Sequence, residues 1–434
     1  MKMILLASLL LASLSSMATV RIEEELYVVG HHPELARELA RTQTISIDHV
    51  DSHGFEVYGP RGTSRFLEGR GVLVYDMNSR QNKSVNWANY PTYEQITAKM
   101  QDFASRFPNI AKLTSIGKSV QGRDLWVLKI SDNVATDEVE PEFKYISSMH
   151  GDEITGRELT IRLIDEMLTK YGTDTQITRL INNTEIFIMP SMNPDGSQAR
   201  RRANANGIDL NRHFPEAIRR HPNTTSGKQP EVAAVMNFQA SRNFTLSANF
   251  HGGTIVMNYP WDAKYEVHPL DALVQELSLE YSQLNPEMIA STEFPRGITN
   301  GAAWYIVEGG MQDWSYNFHN DLQLTVELSH TKWPNYAEIP GFYTSNRDAM
   351  LRYAELIHQG AGIKMANKRA SGTVLIKDSN SRSLGSFGFQ RGEFYKVLMP
   401  GTYTFEVTSG GAKKVTSITV RDAITPNGNY VLVQ

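Results

Sequence analysis

Cysteine is absent from the 434-residue chain. Its absence excludes disulfide bonds, a thiol nucleophile and zinc sites built from thiolates. Neither sign of charge is in large excess, because 43 Lys and Arg residues stand against 47 Asp and Glu residues, for a formal net charge of −4. Such a balance does not indicate nucleic-acid binding. Long hydrophobic runs are also missing after the first residues, so we expect no membrane span.

The first 18 residues have the pattern of a secretion signal. Lys2 supplies a positive start, residues 3–14 form a short apolar core, and Ser16 and Ala18 are small residues before a predicted cut. The alternative is a buried first helix. We therefore expect residues 1–18 to be a signal peptide and the mature protein to be exported, to the periplasm or the medium. Separately, we expect a monomer.

Three units are predicted for the mature chain. Residues 19–84 combine short strand patterns with one helix pattern and fit a small α+β module, with a linker at 78–85. This module contains no candidate catalytic residue and is interpreted as a pro-segment or a docking module. Residues 88–366 alternate strand and helix patterns, which indicates an α/β fold: a mixed, mostly parallel sheet flanked by helices. Residues 369–434 hold short strands separated by turns, which favours an all-β sandwich.

The pair His150 and Glu153 lies between a strand-like run and a helical pattern. Side chains three residues apart at such a turn can present one imidazole and one carboxylate to a zinc ion. The chain holds four His-x-x-Glu strings, so any one of them is by itself an ordinary surface or core histidine. Only His150 sits between a strand pattern and a glycine. His251 again ends a strand pattern and precedes glycine, and it is the candidate third ligand.

A polar cluster at 193–212 supplies further candidates. Arg212 beside Asn211 suits a carboxylate ligand, because guanidinium and amide groups donate in a fixed fork. Asp209 is a plausible partner for the outer nitrogen of a zinc-bound histidine. The alternative for the arginines at 200–202 is a solvated basic patch.

Several ordered blocks together resemble the zinc metallocarboxypeptidases, specifically the carboxypeptidase N/E/D-like subfamily. The similarity runs from about residue 93 to the C-terminus. The blocks are residues 117–123, 149–153, 190–196, 207–212, 247–253, 258–262, 299–305, 309–314 and 325–329. The resemblance implies a carboxypeptidase-like α/β domain followed by a transthyretin-like sandwich. It also implies one Zn2+ per chain, held by His150, Glu153 and His251.

The resemblance also implies roles for other residues of the site. Glu327 corresponds to the general base, and Arg202 to the arginine that polarises the scissile carbonyl. Arg202 lies ten residues before Arg212, which is the spacing of the family and distinguishes it within the arginine triplet. The expected clamp on the terminal carboxylate of the substrate consists of Asn211, Arg212 and Tyr305.

Asp262 and Gln312 correspond to the positions that receive a basic side chain. A carboxylate in a semi-enclosed pocket favours Lys or Arg by charge pairing. Two positions depart from the family pattern, because Asp152 stands where Asn is common and His213 where another Asn is usual. Asp152 adds negative charge near the metal, and His213 is either structural or a further imidazole near the site.

These observations predict an exported zinc exopeptidase that removes C-terminal Lys or Arg from peptides and proteins. One alternative is a zinc hydrolase acting on peptidoglycan stem peptides or acylated amino acids. The acidic residue Asp262 argues against it, because such substrates do not generally end in a cation. The other alternative is a catalytically silent binding protein on the same scaffold. The three ligand candidates together with Glu327 argue against that.

Overall fold

The computed structural model describes residues 21–42, 44–78, 89–421 and 430–433. The predicted signal peptide, and the predicted linker except for Asn78, lie outside the described residues. The helices are α1 Pro33–Ala40, α2 Thr63–Glu68, α3 Tyr93–Arg106, α4 Thr155–Lys170, α5 Thr175–Ile181, α6 Pro194–Ala199, α7 Pro230–Ala240, α8 Asp271–Ser282, α9 Pro286–Ile289, α10 Gly301–Trp304, α11 Met311–His319 and α12 Ile339–Glu355.

The strands belong to four sheets. They are β1 Glu24–Val29, β2 Ser46–Asp48, β3 Gly54–Gly59, β4 Leu73–Asp76, β5 Ala111–Lys118, β6 Asp124–Ile130, β7 Glu142–Ser147, β8 Glu185–Met189, β9 Phe244–His251, β10 Ile255–Tyr259, β11 Ile298–Asn300, β12 Leu322–Leu328, β13 Gly360–Met365, β14 Gly372–Lys377, β15 Ser383–Phe389, β16 Glu393–Val397, β17 Gly401–Ser409, β18 Ala412–Val420 and β19 Tyr430–Val433.

The N-terminal module is a four-stranded sheet in the order β2-β3-β1-β4. Its strands pair antiparallel, and apolar side chains from one face pack with α1 and α2. Leu39 and Leu67 are fully buried there, one from each helix. The predicted α+β character is therefore present, and α2 is an element that the sequence patterns did not predict.

The central domain contains an eight-stranded mixed sheet in the order β11-β10-β12-β9-β7-β8-β6-β5. Strands β8, β7, β9 and β12 are parallel neighbours, whereas the pairs β12-β10, β8-β6 and β6-β5 are antiparallel and the edge strand β11 is parallel to β10. Every residue of the four parallel strands is buried, as expected for strands covered by helices on both faces. This confirms the predicted sheet and aligns the carboxyl ends of β7, β9 and β12.

The entry into this domain follows the predicted helix signal. The Thr92 side chain caps α3 by accepting a hydrogen bond from the backbone N–H of Gln95, and the Gln95 side-chain oxygen accepts one from the backbone N–H of Thr92. This reciprocal pair satisfies two backbone donors at the helix start.

The C-terminal residues form a three-stranded sheet, β16-β13-β19, and a four-stranded sheet, β15-β14-β17-β18. Apolar side chains from both sheets share one core, which includes Ile363, Val374 and Phe405. Strand β13 lies in this unit, although the predicted boundary at 366–369 assigned it to the catalytic domain. The domain boundary is not apparent from the sequence because β13 follows α12 almost directly, with only a short 3-10 turn, Leu356–His358, between them.

Among the described residues, no helix combines the length and the hydrophobicity that crossing a membrane requires.

Candidate metal centre and active site

The three predicted metal ligands converge at one edge of the central sheet. His150 and Glu153 lie in the turn between β7 and α4, and His251 is the last residue of β9. Strands β7 and β9 are parallel neighbours, with Ser147 paired to Phe250. Their carboxyl ends therefore meet, which brings together residues separated by about a hundred positions in the chain.

The donor atoms of these residues form a compact group. His150 Nδ1 lies 2.9 Å from Glu153 Oε1, and His251 Nδ1 lies 2.7 Å from Glu153 Oε2. The two Nδ1 atoms are 3.0 Å apart. All three residues are buried and offer ligand atoms within 4.8 Å of one another. Two imidazoles and one carboxylate form a donor set typical of a catalytic zinc site, so these residues can hold one metal ion.

Charged neighbours hold this group in place. Asp209 Oδ1 lies 3.2 Å from His150 Nε2, the position predicted for it, and its Oδ2 accepts a hydrogen bond from Arg202 Nε at 3.0 Å. Burial raises the pKa of Glu153, but the two histidines more than offset it and hold that pKa well below its usual range. The ligand carboxylate is therefore charged.

Glu327 lies on β12, directly opposite His251 on β9. The side chain is buried, and its Oε2 has no hydrogen-bond partner among the described residues. An unpaired buried carboxylate oxygen is costly unless a ligand or water satisfies it. This oxygen is therefore open to a ligand or a water at the sheet edge that carries His251.

Arg202 is fully buried, so it does not belong to a solvated surface patch. Its Nη1 lies 3.4 Å from Glu153 Oε1, so it borders the metal-ligand group. Its Nη2 has no hydrogen-bond partner among the described residues. The alternative of a solvated basic patch fits exposed Arg201 and not Arg202.

The residues predicted to clamp a terminal carboxylate lie in the same region. Arg212 and Asn211 are in a 3-10 turn, Leu210–Arg212, and Asn211 Oδ1 accepts a hydrogen bond from the backbone N–H of Met311 at 3.0 Å. Tyr305 immediately follows α10.

Asp262 is buried among polar side chains. Its Oδ1 accepts hydrogen bonds from Asn258 Nδ2 at 3.0 Å and Gln312 Nε2 at 2.9 Å. A Cβ atom at Gly301 would fall 1.8 Å from the same oxygen, so only glycine leaves room for the carboxylate. Burial raises the pKa of Asp262 to about 7. No described side chain forms a salt bridge with it.

The two departures from the family pattern have separate environments. Asp152 is buried beside the metal ligands, its Oδ1 lacks a hydrogen-bond partner among the described residues, and burial raises its pKa. His213 Nδ1 accepts a hydrogen bond from the backbone N–H of Gln229 at 3.2 Å, and burial lowers its pKa to about 4. His213 therefore has a structural partner and is outside the metal-ligand group.

Residues of the N-terminal module enter the site, contrary to the prediction that this module carries no site residue. The Asp48 carboxylate pairs with Arg202 and accepts a hydrogen bond from Tyr305 Oη at 2.6 Å. His49 Nε2 lies 3.9 Å from Glu327 Oε2. Lys332, which the sequence did not single out, lies 3.2 Å from Asp48 and 3.8 Å from Glu153.

The chain is similar to one protein family and to several characterised relatives. A family model for the M14 peptidases, described as zinc carboxypeptidase, matches residues 96–349. Human carboxypeptidase D is 39% identical over 366 residues, which cover 77% of this chain and 26% of that protein. Mouse carboxypeptidase M is 37% identical over 350 residues, covering 74% of this chain and 78% of that protein. The chain thus spans about a quarter of carboxypeptidase D and most of carboxypeptidase M.

Solved structures with the same fold include carboxypeptidase A from Helicoverpa armigera, with a TM-score of 0.59 and 19% identity. The match covers 76% of this chain and 97% of that one. Thrombin activatable fibrinolysis inhibitor matches with a TM-score of 0.56 and 16% identity, over 77% of this chain and 98% of that one. At these identities the likeness shows the fold alone.

Proposed function

Because this chain belongs to the zinc carboxypeptidase family, we propose that it is an exported, zinc-dependent exopeptidase that hydrolyses the C-terminal peptide bond of chains ending in Lys or Arg. The observation that carries the reaction is the meeting of His150, Glu153 and His251 beside Glu327 at one edge of the sheet. The observation that carries the substrate preference is the buried Asp262 carboxylate, which has amide partners and no described salt bridge.

A bound zinc ion would supply Lewis acidity and lower the pKa of its water to about 7. His150, Glu153 and His251 would hold it. Glu327 would accept a proton from the attacking water on its free Oε2 and return it to the leaving amine. Arg202 would direct its guanidinium to the carbonyl oxygen as negative charge develops there.

The remaining residues would select and orient the substrate. Asn211, Arg212 and Tyr305 would bind the terminal carboxylate, which restricts cleavage to the last residue and positions its peptide bond. Asp262 would pair with the terminal side chain, and Gln312 would hold the carboxylate in place. A buried carboxylate with amide partners and no described salt bridge provides the site for a ligand cation.

The C-terminal unit is proposed to be a transthyretin-like sandwich that stabilises the catalytic domain or binds a partner. Its contacts support this, because Asn243, which precedes β9, donates a hydrogen bond from Nδ2 to Glu393 at 2.8 Å. Thr245 also donates to the backbone carbonyl of Tyr395 at 3.1 Å. The chain is proposed to act as a monomer in the periplasm or outside the cell.

The test uses four short peptides that differ only in the last residue: Arg, Lys, Leu or Phe. Because Asp48 lies in the site, two proteins are assayed. One is the intact chain, and the other carries a specific protease sequence inserted between Asn78 and Asn89, here termed the cleavable chain. We expect chelator-sensitive release of Arg and Lys, and loss of that preference in Asp262→Ala. Asp271→Ala, at the partly exposed start of α8, is the control.

Two results would contradict the proposal. The first is that the zinc-loaded protein releases none of the four residues, before or after cleavage of the cleavable chain. In that case we would instead infer either a hydrolase acting on a cell-wall substrate or a catalytically silent binding protein. If Leu or Phe were released as fast as Arg, the proposed hydrolysis would be supported, but the proposed preference for Lys or Arg would be contradicted.

A further inference from the structure

Asp262 lies in the irregular segment between β10 and α8. A side chain on a loop is less precisely placed than one on a helix or strand, unless neighbouring groups hold its backbone. Two carbonyl groups of this segment are held in that way. The backbone N–H of Ala302 donates to the carbonyl of Trp261 at 2.8 Å, and the backbone N–H of Val307 donates to the carbonyl of Asp262 at 3.0 Å.

The N–H groups of the same segment are held by a second buried acid, Asp313. Its Oδ1 accepts a hydrogen bond from the backbone N–H of Asp262 at 3.0 Å. Its Oδ2 accepts from the same group at 3.1 Å and from the backbone N–H of Ala263 at 3.0 Å. All three residues are buried, and a buried N–H without a partner is costly. Asp313 therefore fixes the backbone from which the Asp262 side chain extends.

The side-chain contacts of Asp262 do not replace this support. Asn258 and Gln312 both donate to the same oxygen, Oδ1, so together they fix one atom of the carboxylate. The space around that oxygen is narrow, because a Cβ atom at Gly301 would fall 1.8 Å from it. A shift of the backbone would therefore displace the carboxylate from its present place.

Helix α11 carries the Asp313 contact together with two others. Gln312 precedes Asp313, so consecutive residues of the helix hold the side chain and the backbone of Asp262. The helix begins with Met311, whose backbone N–H donates to Asn211 Oδ1 at 3.0 Å. Asn211 belongs to the proposed clamp on the terminal carboxylate. The first turn of α11 thus links the groups proposed to bind the carboxylate and the side chain of the last substrate residue.

The contact does not depend on the charge of Asp313. Burial and the nearby Asp262 raise the pKa of Asp313 well above its usual range, although the two backbone N–H groups oppose this. In either protonation state one oxygen can accept from both N–H groups, since Oδ2 already does so. Asp313 is thus suited to hold a backbone, and its carboxyl group is directed to the loop that carries Asp262.

From this arrangement we propose that Asp313 is a positioning residue for the preference for a basic last residue. It binds the N–H groups of Asp262 and Ala263 and so holds the Asp262 carboxylate at a fixed distance from Asn211 of the clamp. Asp313 acts through Asp262 and does not itself contact the substrate. This inference rests on the proposed function, because it takes Asp262 as the partner of the terminal side chain.

The test measures binding of two fluorescent peptides that differ only in the last residue, Arg or Leu. They are titrated into zinc-loaded Glu327→Gln protein, in the cleaved form of the cleavable chain, and anisotropy gives each affinity. Asp313→Leu removes both acceptor oxygens at a similar volume, whereas Asp313→Asn keeps one. Glu308→Gln is the matched control, because this carboxylate lies just before α11 and pairs with the partly exposed Arg219.

The ratio of the two affinities measures the preference for Arg. We expect Asp313→Leu to lower this ratio at least about tenfold and Asp313→Asn about threefold, because each lost hydrogen bond weakens the hold on Asp262. The affinity for the Leu peptide should change less than about twofold, since that peptide does not use the carboxylate. Glu308→Gln should leave both affinities unchanged. A residue that only stabilised the fold would affect both peptides alike.

A double variant tests whether Asp313 acts through Asp262. In the Asp262→Asn background, Asp313→Leu should lower the ratio no further, because the group that it positions has lost its charge. Thermal unfolding verifies that each variant is folded. If Asp313→Leu does not fold, Asp313→Asn is measured in both backgrounds and decides in the same way.

Three results would overturn the inference: a ratio unchanged by either Asp313 substitution, equal loss of both peptides, or the same further loss in the Asp262→Asn background. Hydrolysis of the two peptides is measured separately with Glu327 present. A binding preference that depends on Asp313 without any chelator-sensitive hydrolysis would uphold the inference and contradict the proposed exopeptidase. Hydrolysis with an Arg preference that the Asp313 substitutions leave unchanged would do the reverse.

Discussion

Glu327 and His251 lie directly opposite each other on the parallel strands β12 and β9. The strand register therefore fixes the distance between the proposed general base and a metal ligand, without dependence on a loop. Since a shift of one residue would turn Glu327 to the other face of the sheet, this pairing is strongly specified. Because both residues lie on buried strands, a substitution at one of them should leave the position of the other unchanged.

Glu327→Gln should abolish most peptidase activity without loss of zinc. The substitution keeps shape and removes the basic carboxylate, and general acid–base catalysis is typically worth about 10²- to 10⁴-fold in rate. We expect kcat to fall by that factor in the cleaved form of the cleavable chain, with zinc content by mass spectrometry unchanged. Glu280→Gln, at a surface pair with Arg352, is the control. Activity within threefold of the parent protein would exclude Glu327 as the base.

Removing the metal should lower both activity and stability. His150, Glu153 and His251 are buried and lie close enough together to hold one ion. An ion that binds only the folded chain stabilises it by mass action, by about 4 kcal/mol at a concentration 1,000 times its dissociation constant. We expect a chelator to lower the melting temperature and abolish hydrolysis, and added Zn2+ to restore both. His251→Asn should lose the bound zinc, whereas His330→Asn, an exposed histidine, should keep it. Full zinc content in His251→Asn would refute the proposed ligand set.

The sequence predicted the helices and strands whose signal lies within a few consecutive residues. Strand β8, Glu185–Met189, was predicted with correct bounds, because a short, continuous apolar run between polar turns marks a buried parallel strand. The capping box at Thr92 was found because both partners lie within four residues. Strand β10 and helix α11 were missed. The helix carries Gln312 and Asp313 on its buried side, where a hydrophobic pattern cannot reveal them.

The two histidines of the metal-ligand group could be predicted because each, His150 and His251, follows a strand pattern and precedes a glycine. The contribution of Asp48 could not, because its partner Arg202 lies 154 residues away and Lys332 lies 284 residues away. No periodicity or motif links charges across such distances, and the sequence around Asp48 has the pattern of an ordinary short strand. Only the packing of the module against the central sheet reveals the pairing.

Arg202→Ala should destabilise the protein strongly. The guanidinium is buried among Asp48, Asp209 and Glu153, and removing one partner of a buried ion pair typically costs about 3–5 kcal/mol because the remaining charges are uncompensated. We expect urea denaturation to show that the free energy of unfolding falls by that amount. Arg201→Ala, its exposed neighbour in the chain, should change the free energy of unfolding by less than about 0.5 kcal/mol. Equal effects of the two substitutions would mean that the pairing around Arg202 contributes little.

The preference for a basic last residue should increase as the pH rises through about 7. Burial raises the pKa of Asp262 to about 7, so the carboxyl group is neutral below that pH and charged above it. Only the charged form attracts Lys or Arg. The ratio of kcat/KM for the Arg peptide to that for the Leu peptide, measured from pH 5.5 to about 8.5, should therefore rise and then level off.

Asp262→Asn separates this effect from the titration of other groups. The amide keeps the shape of the pocket and carries no charge at any pH, so the ratio should be low and independent of pH. Losing the charge-assisted contact should lower kcat/KM for the Arg peptide by about 10- to 100-fold and leave the Leu peptide almost unaffected. Asp348→Asn, an exposed carboxylate on α12, is the matched control and should keep the pH dependence. If the ratio still rose through pH 7 in Asp262→Asn, another group would have to control the preference.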